Sequence, residues 1–575
     1  MKPGRPVAVI GTLFKEMKLK PNILNEFTNE RSVGVGPPKI MDNYCAEDDV
    51  IVLEDTSGRV TLKVHASLTG NMVTGVVAGV IGSVQETGEL LVHHLVTLGQ
   101  CPHPAPHPAG RAVLAELTGS PPPAAEEGGD IFALLVSNLH CGGTQDPLPL
   151  HLLTQFIRAS AGSAAETAAT ARIARVIVAG GLVTPRAGSA ADEFLCSKHL
   201  SADKQAALAA PMAEADALLA AWAAAAPVDV MPGGADATNV TLPQQPMHPV
   251  LLPSACRYSS FTSCPNPYDV SLGGVRIAGT SGQTVDDVAA YTRSFACFSA
   301  LDAGSPEAGG DGVQAALQEG ASLGEADPVA RLNILANCVY WRHIAPTAPD
   351  TLPTYPFYNM DPFVLTQDVS PHVLFAGGQP AYGSALVTPT AVSYDAATML
   401  GSTSQRRQVP TDGAGELDME AAAAAACPGG VPMATRVLAV PDFAKTSTAV
   451  LLNLRTLQCS PVLFAGPAGG GGSAHVASGA AKQLQEAADF AGVTLPGEPT
   501  RPRAEDAGLD VVKLKKAARE GDSMTVAASA AAAAAAASAG TGATTGDTPV
   551  VGEEDGEDDG DDETPMGGED MPEDE

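Results

Sequence analysis

The first hundred residues alternate between short apolar runs and turn-forming residues, a pattern typical of antiparallel strands. The runs are VAVIGTLF, VIVLED, RVTLKV, MVTGVVAGVIGSV and ELLVHHLVTL. A Thr56-Ser57-Gly58 turn joins the second run to the third and predicts a tight hairpin, and another turn follows at Glu86-Thr87-Gly88. Gly75 and Gly79 suit a strongly coiled strand. Together these runs predict a small five-stranded barrel.

We assign residues 1–101 to this all-β domain and expect an OB-fold, a five-stranded partly open barrel. Between residues 102 and 129 the composition shifts to proline, glycine and alanine, as in PHPAPHPAG and GSPPPAAEEGG. Such a segment buries little surface, so a linker is predicted here. Its histidines, His103 and His107, are interpreted as solvated side chains and not as metal ligands.

Beyond residue 130 the apolar runs become continuous. They are IFALLVS, ARVIVAGG, VDVMPGG, VRIAGTSG and HVLFAGG, and RVLAVPDF and TAVLLNLRTL close the series. Continuous runs are typical of strands buried on both faces. The intervening LHLLTQFIRAS and ADKQAALAAPMAEADALLAAWAAAA predict covering helices. Residues 130–465 are therefore expected to form a layered α/β domain.

Three stretches lack these patterns. Residues 303–326 and 398–430 are interpreted as surface insertions in the second domain. Residues 466–575 are rich in glycine and alanine and end in an acidic run from Glu553 to Glu575. Because this composition cannot support a packed core, a disordered tail is predicted.

Composition narrows the possible functions. The chain has 575 residues, a formal net charge of -32 and a pI near 4.6. This charge disfavours a protein whose whole surface grips nucleic acid, because carboxylates repel phosphates. Ten cysteines without a C-x-x-C pair, and no secretory signal, indicate reduced intracellular thiols. No apolar run reaches the roughly 20 residues that a bilayer requires, so no membrane contact is expected.

The loops that follow the strands of such a domain usually carry its chemistry. Here they read SNLH (137–140), GGLVT (180–184), PGGAD (232–236) and GGQP (377–380). Their order and spacing resemble the calcineurin-type metallophosphoesterases, which have D-x-H, G-D-x-x-D, G-N-H-[DE] and G-H-x-H at these points. The resemblance implies that family's fold, a β-sandwich with flanking helices.

The resemblance also implies that most metal ligands of that family are replaced in this chain. The positions that differ are Asn138, Gly181, Thr184, Gly234, Ala235, Gly378 and Pro380. His140 and Asp236 keep the residue type of the family and are interpreted as residues that brace the strand ends by hydrogen bonds. A two-metal hydrolase needs a full set of carboxylates and imidazoles. We therefore predict an inactive site without catalytic residues, metal or other cofactor.

A barrel followed by a phosphoesterase-like domain that lacks its ligands is the plan of the B subunits of eukaryotic replicative DNA polymerases. Longer strings resemble the small B subunits of DNA polymerase delta in particular. They include GTLFKEMKLKPNIL, AEDDVIVLEDTSGRVTL, VDVMPGGADATNVTLPQQPMHPVL, GTSGQTVDDV, HIAPTAPDTLPTYPF, DPFV, PHVLFAGGQPAYGS and PDFAKTSTAVLLNLRTLQC. The resemblance extends from Val7 to Cys459.

This resemblance implies a non-catalytic nuclear scaffold in DNA replication and repair. In the family, the small subunit bridges the cysteine-rich C-terminal module of the catalytic subunit to a third accessory subunit, which leads on to the sliding clamp. The family's small subunit is also shared with polymerase zeta. Direct contact with DNA is expected to be weak or indirect.

Two Pro-rich loops, LPQQPMHP and APTAPDTLPTYPFYNMDPF, should be stiff because proline fixes φ and lacks an N–H. The second carries Tyr355, Phe357, Tyr358 and Phe363. Aromatic side chains are enriched at the cores of interfaces, so these four residues are a candidate partner-docking surface. The equally open alternative is that the rings cap the domain's own core.

Three other functions remain open from the sequence. An active phosphodiesterase or nuclease would need a rearranged metal site near His140. A role as the B subunit of polymerase alpha or epsilon is disfavoured by the delta-like strings. A single-stranded-DNA-binding barrel needs a basic groove interleaved with exposed aromatic side chains. The candidates for that groove are Lys15, Lys18, Lys20, Lys63, Phe14 and Phe27.

Overall fold

The computed structural model describes residues 5–21, 43–64, 69–103, 109–117, 129–160, 167–168, 170–184, 202–292, 328–358, 360–389, 392–394 and 434–464. The predicted insertions, the predicted tail, His107 and Phe27 lie outside these ranges. Among the residues described, no helix has the length and apolar character needed to cross a membrane. The cysteines in these ranges are free thiols.

The described strands of the N-terminal region close into a five-stranded barrel. They are β1 (Pro6–Glu16), β2 (Val50–Asp55), β3 (Gly58–Lys63), β4 (Val77–Val84) and β5 (Leu90–Thr97). Their order around the barrel is β1-β2-β3-β5-β4, with β3 and β5 parallel and the other pairs antiparallel. The predicted barrel and its β2–β3 hairpin are confirmed.

The described strands of the second domain form two six-stranded sheets. They are β6 (Phe132–Val136), β7 (Ile173–Ala179), β8 (Val228–Met231), β9 (Phe261–Ser263), β10 (Tyr268–Leu272), β11 (Val275–Thr280), β12 (Val373–Gln379), β13 (Gly383–Val387), β14 (Val392–Tyr394), β15 (Thr435–Pro441), β16 (Thr448–Asn453) and β17 (Cys459–Leu463). One sheet has the order β17-β16-β6-β7-β8-β9, and the other has the order β10-β11-β12-β15-β13-β14. The continuous apolar runs supply the parallel centre of each sheet.

Helices pack against the two sheets. They are α1 (Gly110–Leu117), α2 (Leu148–Ile157), α3 (Ala202–Ala223), α4 (Gln283–Tyr291), α5 (Pro328–Trp341) and α6 (Phe443–Thr446). The α2 and α3 helices share a core with the first sheet, in which Leu153 and Trp222 are buried. The two sheets share a second core that contains Ile177 and Phe375. The α4 and α5 helices share a third core with the other sheet and the barrel.

Part of the predicted linker is packed into the second domain. The interpretation of His103 as a solvated side chain is wrong, because it is only 3% exposed. Its Nε2 lies 3.0 Å from the carbonyl oxygen of Ala434, and its ring stacks on His372 with a 4.8 Å centroid separation. Val113 in α1 is buried in the core between the sheets. The few apolar residues of this segment suffice for a short packed helix despite its Pro-rich surroundings.

The barrel also completes the C-terminal end of α4. The last carbonyl groups of a helix have no partner within the helix. The buried Lys15 donates from Nζ to the Tyr291 carbonyl at 2.7 Å, and Asn43 donates from Nδ2 to the Thr292 carbonyl at 2.8 Å. Side chains from the N-terminal region therefore satisfy the end of a helix in the second domain, which ties the two together.

Candidate strand-end site

The loops that follow β6 and β7 are in direct backbone contact. The N–H of Asn138 donates to the Gly180 carbonyl at 2.9 Å. Gly180 and Gly181 have φ values of +77° and +69°, a conformation that favours glycine. A Cβ placed on Gly181 would lie 2.0 Å from Oδ1 of Asn138. The Asn138 side chain therefore fills the space that an aspartate at position 181 would need.

Asp442 binds the Asn138 amide from a distant part of the sequence. Nδ2 of Asn138 donates to Oδ2 of Asp442 at 3.1 Å. Asp442 also caps α6 by accepting from the N–H of Lys445, and its carboxylate forms a 3.2 Å ion pair with Lys445 Nζ. Asp442 was not predicted as a site residue, although it directly follows the buried run RVLAVP. The amide at position 138 is thus engaged within the protein.

Among the described residues, four backbone N–H groups donate to the carboxylate of Asp236. Gly181 and Gly233 bond to Oδ2 at 2.9 and 2.7 Å, and Leu182 and Val183 bond to Oδ1 at 2.9 and 3.2 Å. Burial raises the pKa of Asp236 above its ordinary value, and the four donors oppose this rise. The carboxylate joins the loop after β7 to the loop after β8.

The end of β12 closes the other side of the site with backbone. The N–H of Gly378 donates to Oγ of Ser137 at 2.9 Å, and that hydroxyl donates to the Pro441 carbonyl. A Cβ on Gly378 would lie 3.2 Å from Nδ2 of Asn138. A Cβ on Gly377 would lie 2.4 Å from the Ala179 carbonyl oxygen. Because glycine has no side chain, the strand ends can approach closely at these two positions. No room is left there for a larger residue.

The remaining predicted positions lie at the margin of this site. Thr184 donates from Oγ1 to the His140 carbonyl at 2.8 Å. Gly234, Ala235 and Pro380 are exposed. The structure therefore brings Asn138, Gly181, Asp236 and Gly378 together. The three exposed residues lie outside this group. Within the described ranges, no group of three or more His, Cys, Asp and Glu side chains is placed to hold a metal ion.

A network of buried amide side chains lies next to the site and was not predicted from the sequence. Nδ2 of Asn266 lies 2.8 Å from Oε1 of Gln244, 2.9 Å from Oγ of Ser281 and 3.0 Å from Oε1 of Gln283. Gln244 also donates to the Gly233 carbonyl at 3.1 Å. The network links the loop after β8 to the start of α4. Buried amides of this kind form no sequence motif, so only the structure reveals them.

The four aromatic residues proposed as a docking surface separate into two groups. Tyr355, Phe357 and Tyr358 are exposed, and Tyr358 is fully so. Phe363 is completely buried in a small core with Leu242 and its neighbours, so the core-capping alternative holds for this ring and it cannot belong to a docking surface. Phe357 packs edge-on against Phe363 with ring centroids 5.7 Å apart. The buried Phe363 ring therefore supports the exposed Phe357 ring.

The basic residues considered for DNA binding are largely occupied by other contacts. Lys15 is buried at the end of α4 and cannot line an exposed groove. Lys18 pairs with Asp48, and Lys20 binds both carboxylate oxygens of Asp350 at 2.7 and 2.8 Å. Of the four candidate lysines, Lys18 and Lys63 remain exposed, and Lys18 is paired with a carboxylate. Such a groove requires more exposed basic side chains than these.

Two family models match the chain. Residues 1–95 match the OB-fold domain of the DNA polymerase delta subunit, and residues 133–384 match the B subunit of DNA polymerase alpha/epsilon. The DNA polymerase delta small subunit of Oryza sativa subsp. japonica is 31% identical over 467 residues, which cover 81% of this chain and 85% of that protein. The chain belongs to the DNA polymerase delta small subunits.

Other members of this family are similar over the same extent. The DNA polymerase delta small subunit of Arabidopsis thaliana is 30% identical over 81% of this chain and 83% of its own length. That of Saccharomyces cerevisiae is 27% identical over 80% of this chain and 79% of its own length. The resemblance to polymerase delta small subunits and the predicted OB-fold are both confirmed, and they place the chain in DNA replication.

Proposed function

We propose that the chain is a non-catalytic scaffold subunit of DNA polymerase delta that works in the nucleus in DNA replication and repair. The similarity to the rice small subunit, which extends over 81% of the chain, carries this proposal. The strand-end geometry supports it, because two side chains at the positions where an enzyme would hold metal already have partners in this protein. Asn138 donates to Asp442, and Asp236 accepts from backbone N–H groups.

The second domain is proposed to be a phosphoesterase-like fold whose metal site has been lost. A two-metal centre requires several carboxylate and imidazole ligands with free lone pairs. Asn138 is held by Asp442, and both carboxylate oxygens of Asp236 already accept N–H groups. Glycines fill two further ligand positions at contact distance from their neighbours. The donor set therefore does not fit a metal pair, and no reaction step is assigned to it.

As a scaffold, the chain would bridge the cysteine-rich C-terminal module of the catalytic subunit to a third accessory subunit. Through that third subunit it would connect indirectly with the sliding clamp, and its own contact with DNA would be weak or indirect. The chain would also serve as a subunit of polymerase zeta. The tie between barrel and second domain at α4 supports this role, because a bridging subunit must hold its two docking sites at a fixed separation.

A docking surface for one of these subunits is proposed at the aromatic patch, which we define as Tyr355, Phe357 and Tyr358 with the exposed neighbours Val240 and Met360. The two loops adjoin, because the N–H of Tyr355 donates to the Leu242 carbonyl at 2.9 Å. Stiff aromatic side chains lose little entropy on binding and are common interface anchors. We assign the C-terminal module of the catalytic subunit to this patch.

The patch is tested by measuring the affinity of the full chain for that module. Replacement of Tyr355 and Tyr358 by alanine should weaken binding at least thirtyfold, which corresponds to about 2 kcal/mol for a single anchor. The matched control is Tyr258→Ala, which removes an exposed tyrosine elsewhere in the second domain. Equal affinities for both variants would show that the module docks at another surface.

The absence of phosphoesterase activity is tested separately on the same preparation. Metal content is measured after dialysis against manganese, together with hydrolysis of bis-p-nitrophenyl phosphate. The scaffold proposal predicts no stoichiometric metal and no turnover above that of a His140→Ala variant. Stoichiometric metal with turnover that this substitution abolishes would contradict it.

A further inference from the structure

The four N–H groups around Asp236 converge in a way that suits an anion. In each of these four contacts a backbone N–H donates to the carboxylate. A proton on either carboxylate oxygen would therefore point at an N–H group. Asp236 is only 6% exposed, and water therefore contributes little to the solvation of its carboxylate. Charge-assisted hydrogen bonds from the backbone replace that water.

The backbone that carries these donors has the geometry of an anion-binding nest. In such a nest, successive N–H groups point into one concavity, as in many phosphate sites. Gly181, Leu182 and Val183 supply three successive donors, and Gly233 supplies the fourth from the next loop. A Cβ on Gly233 would lie 2.7 Å from the N atom of Gly181. The glycines therefore allow the two loops to close around one ligand.

We propose that this nest is an anion-binding site whose resident ligand is the side chain of Asp236, and that it accepts a small carboxylate from solution when that side chain is shortened. Asp236 is then a positioning residue, which holds the loops after β7 and β8 together by its charge and shape. This inference goes beyond the scaffold role, since it involves neither a partner nor a reaction.

The size of the vacated space sets the choice of probe. Asp236→Ala keeps Cβ and removes one carboxylate, which is the size of formate. Asp236→Gly also removes Cβ and leaves room for acetate. Asp236→Asn fills the space with an amide whose NH₂ group opposes some of the donors, so it provides a matched control that leaves no room for an added anion.

The experiment measures the unfolding midpoint of each full-length variant in formate, acetate or chloride at equal ionic strength. The alanine variant should gain stability with formate in a saturable manner, with the folded-to-unfolded ratio rising about elevenfold at ten times Kd. The glycine variant should respond to acetate in the same way. The native chain and the asparagine variant should respond to these anions as they do to chloride.

Three results would overturn the proposal. One is an alanine variant no more sensitive to formate than the asparagine variant, and another is equal rescue by neutral formamide. The third is an asparagine variant as stable as the native chain, since an amide nitrogen cannot accept N–H bonds. If the alanine variant does not remain folded alone, its refolding yield in formate and in chloride replaces the midpoint, and equal yields would refute the inference.

Discussion

Lys15→Met tests the cap that the barrel supplies to α4. The substitution keeps an unbranched side chain but removes the hydrogen bond from Nζ to the Tyr291 carbonyl. It also leaves Asp49, 3.7 Å from Nζ and only 2% exposed at its side chain, without its cation. Removal of one partner from a buried ion pair usually costs about 3–5 kcal/mol. We expect a loss of this size in the free energy of unfolding.

The assay uses the intrinsic fluorescence of Trp341 during urea unfolding. The chain has two tryptophans, Trp222 and Trp341, and the second lies against the barrel core near Leu13. In a Trp222→Phe background, Trp341 reports on the junction between barrel and second domain. The native chain and the Lys15→Met variant are compared in this background.

The exposed Lys63→Met substitution on β3 is the matched control and should change stability by less than about 0.5 kcal/mol. Adding Asp49→Asn to Lys15→Met should recover part of the loss, since the uncompensated charge is then removed. A Lys15→Met variant as stable as the Lys63→Met control would refute the role given to Lys15. Strict additivity of the Lys15 and Asp49 substitutions would refute the coupling between them.

Three further predictions concern other parts of the fold. Asp361→Asn removes a carboxyl group whose pKa lies below its ordinary value. Burial raises this pKa, but hydrogen bonds from His343 and from the Phe363 N–H lower it by more. The native chain should therefore be more stable than this variant above about pH 4, and the advantage should vanish as pH falls through the folded-state pKa; urea midpoints that differ equally at every pH would contradict this. Gly181→Ala should cost more than Gly88→Ala, since both have positive φ but only position 181 lacks room for a Cβ; equal losses in thermal unfolding would refute the close packing. Phe363→Ala should cost about 3–5 kcal/mol and Tyr358→Ala almost nothing, and the reverse order would invalidate the assignment of buried and exposed rings.

The strand pattern of the sequence predicted the centres of both sheets, because β6, β7, β8, β12 and β15 are continuous apolar runs. Short strands at the sheet edges, such as β9 and β14, carry too few residues for a clear pattern. The α5 helix was also missed. All 14 of its residues are buried, so it has no polar face to produce helical periodicity.

The positions of the candidate site could be predicted from the strand ends, but the contacts that hold it could not. Asp442, which binds the Asn138 amide, lies 304 residues further along the chain. Phe363 and Tyr358 occur in one Pro-rich loop and differ only in which ring meets Leu242 and the core around it. Lys15 was interpreted as a surface charge because its burial depends on a helix end from another domain.

The most direct test of the scaffold role is the mass of the complex formed when the full chain is co-expressed with the catalytic subunit of DNA polymerase delta from the same organism. Light scattering after size-exclusion chromatography measures that mass, and the rice small subunit with its own catalytic subunit serves as the positive control. A stable complex with one copy of each subunit is predicted. Elution of the chain apart from the catalytic subunit, under conditions in which the rice pair stays together, would contradict the proposed function.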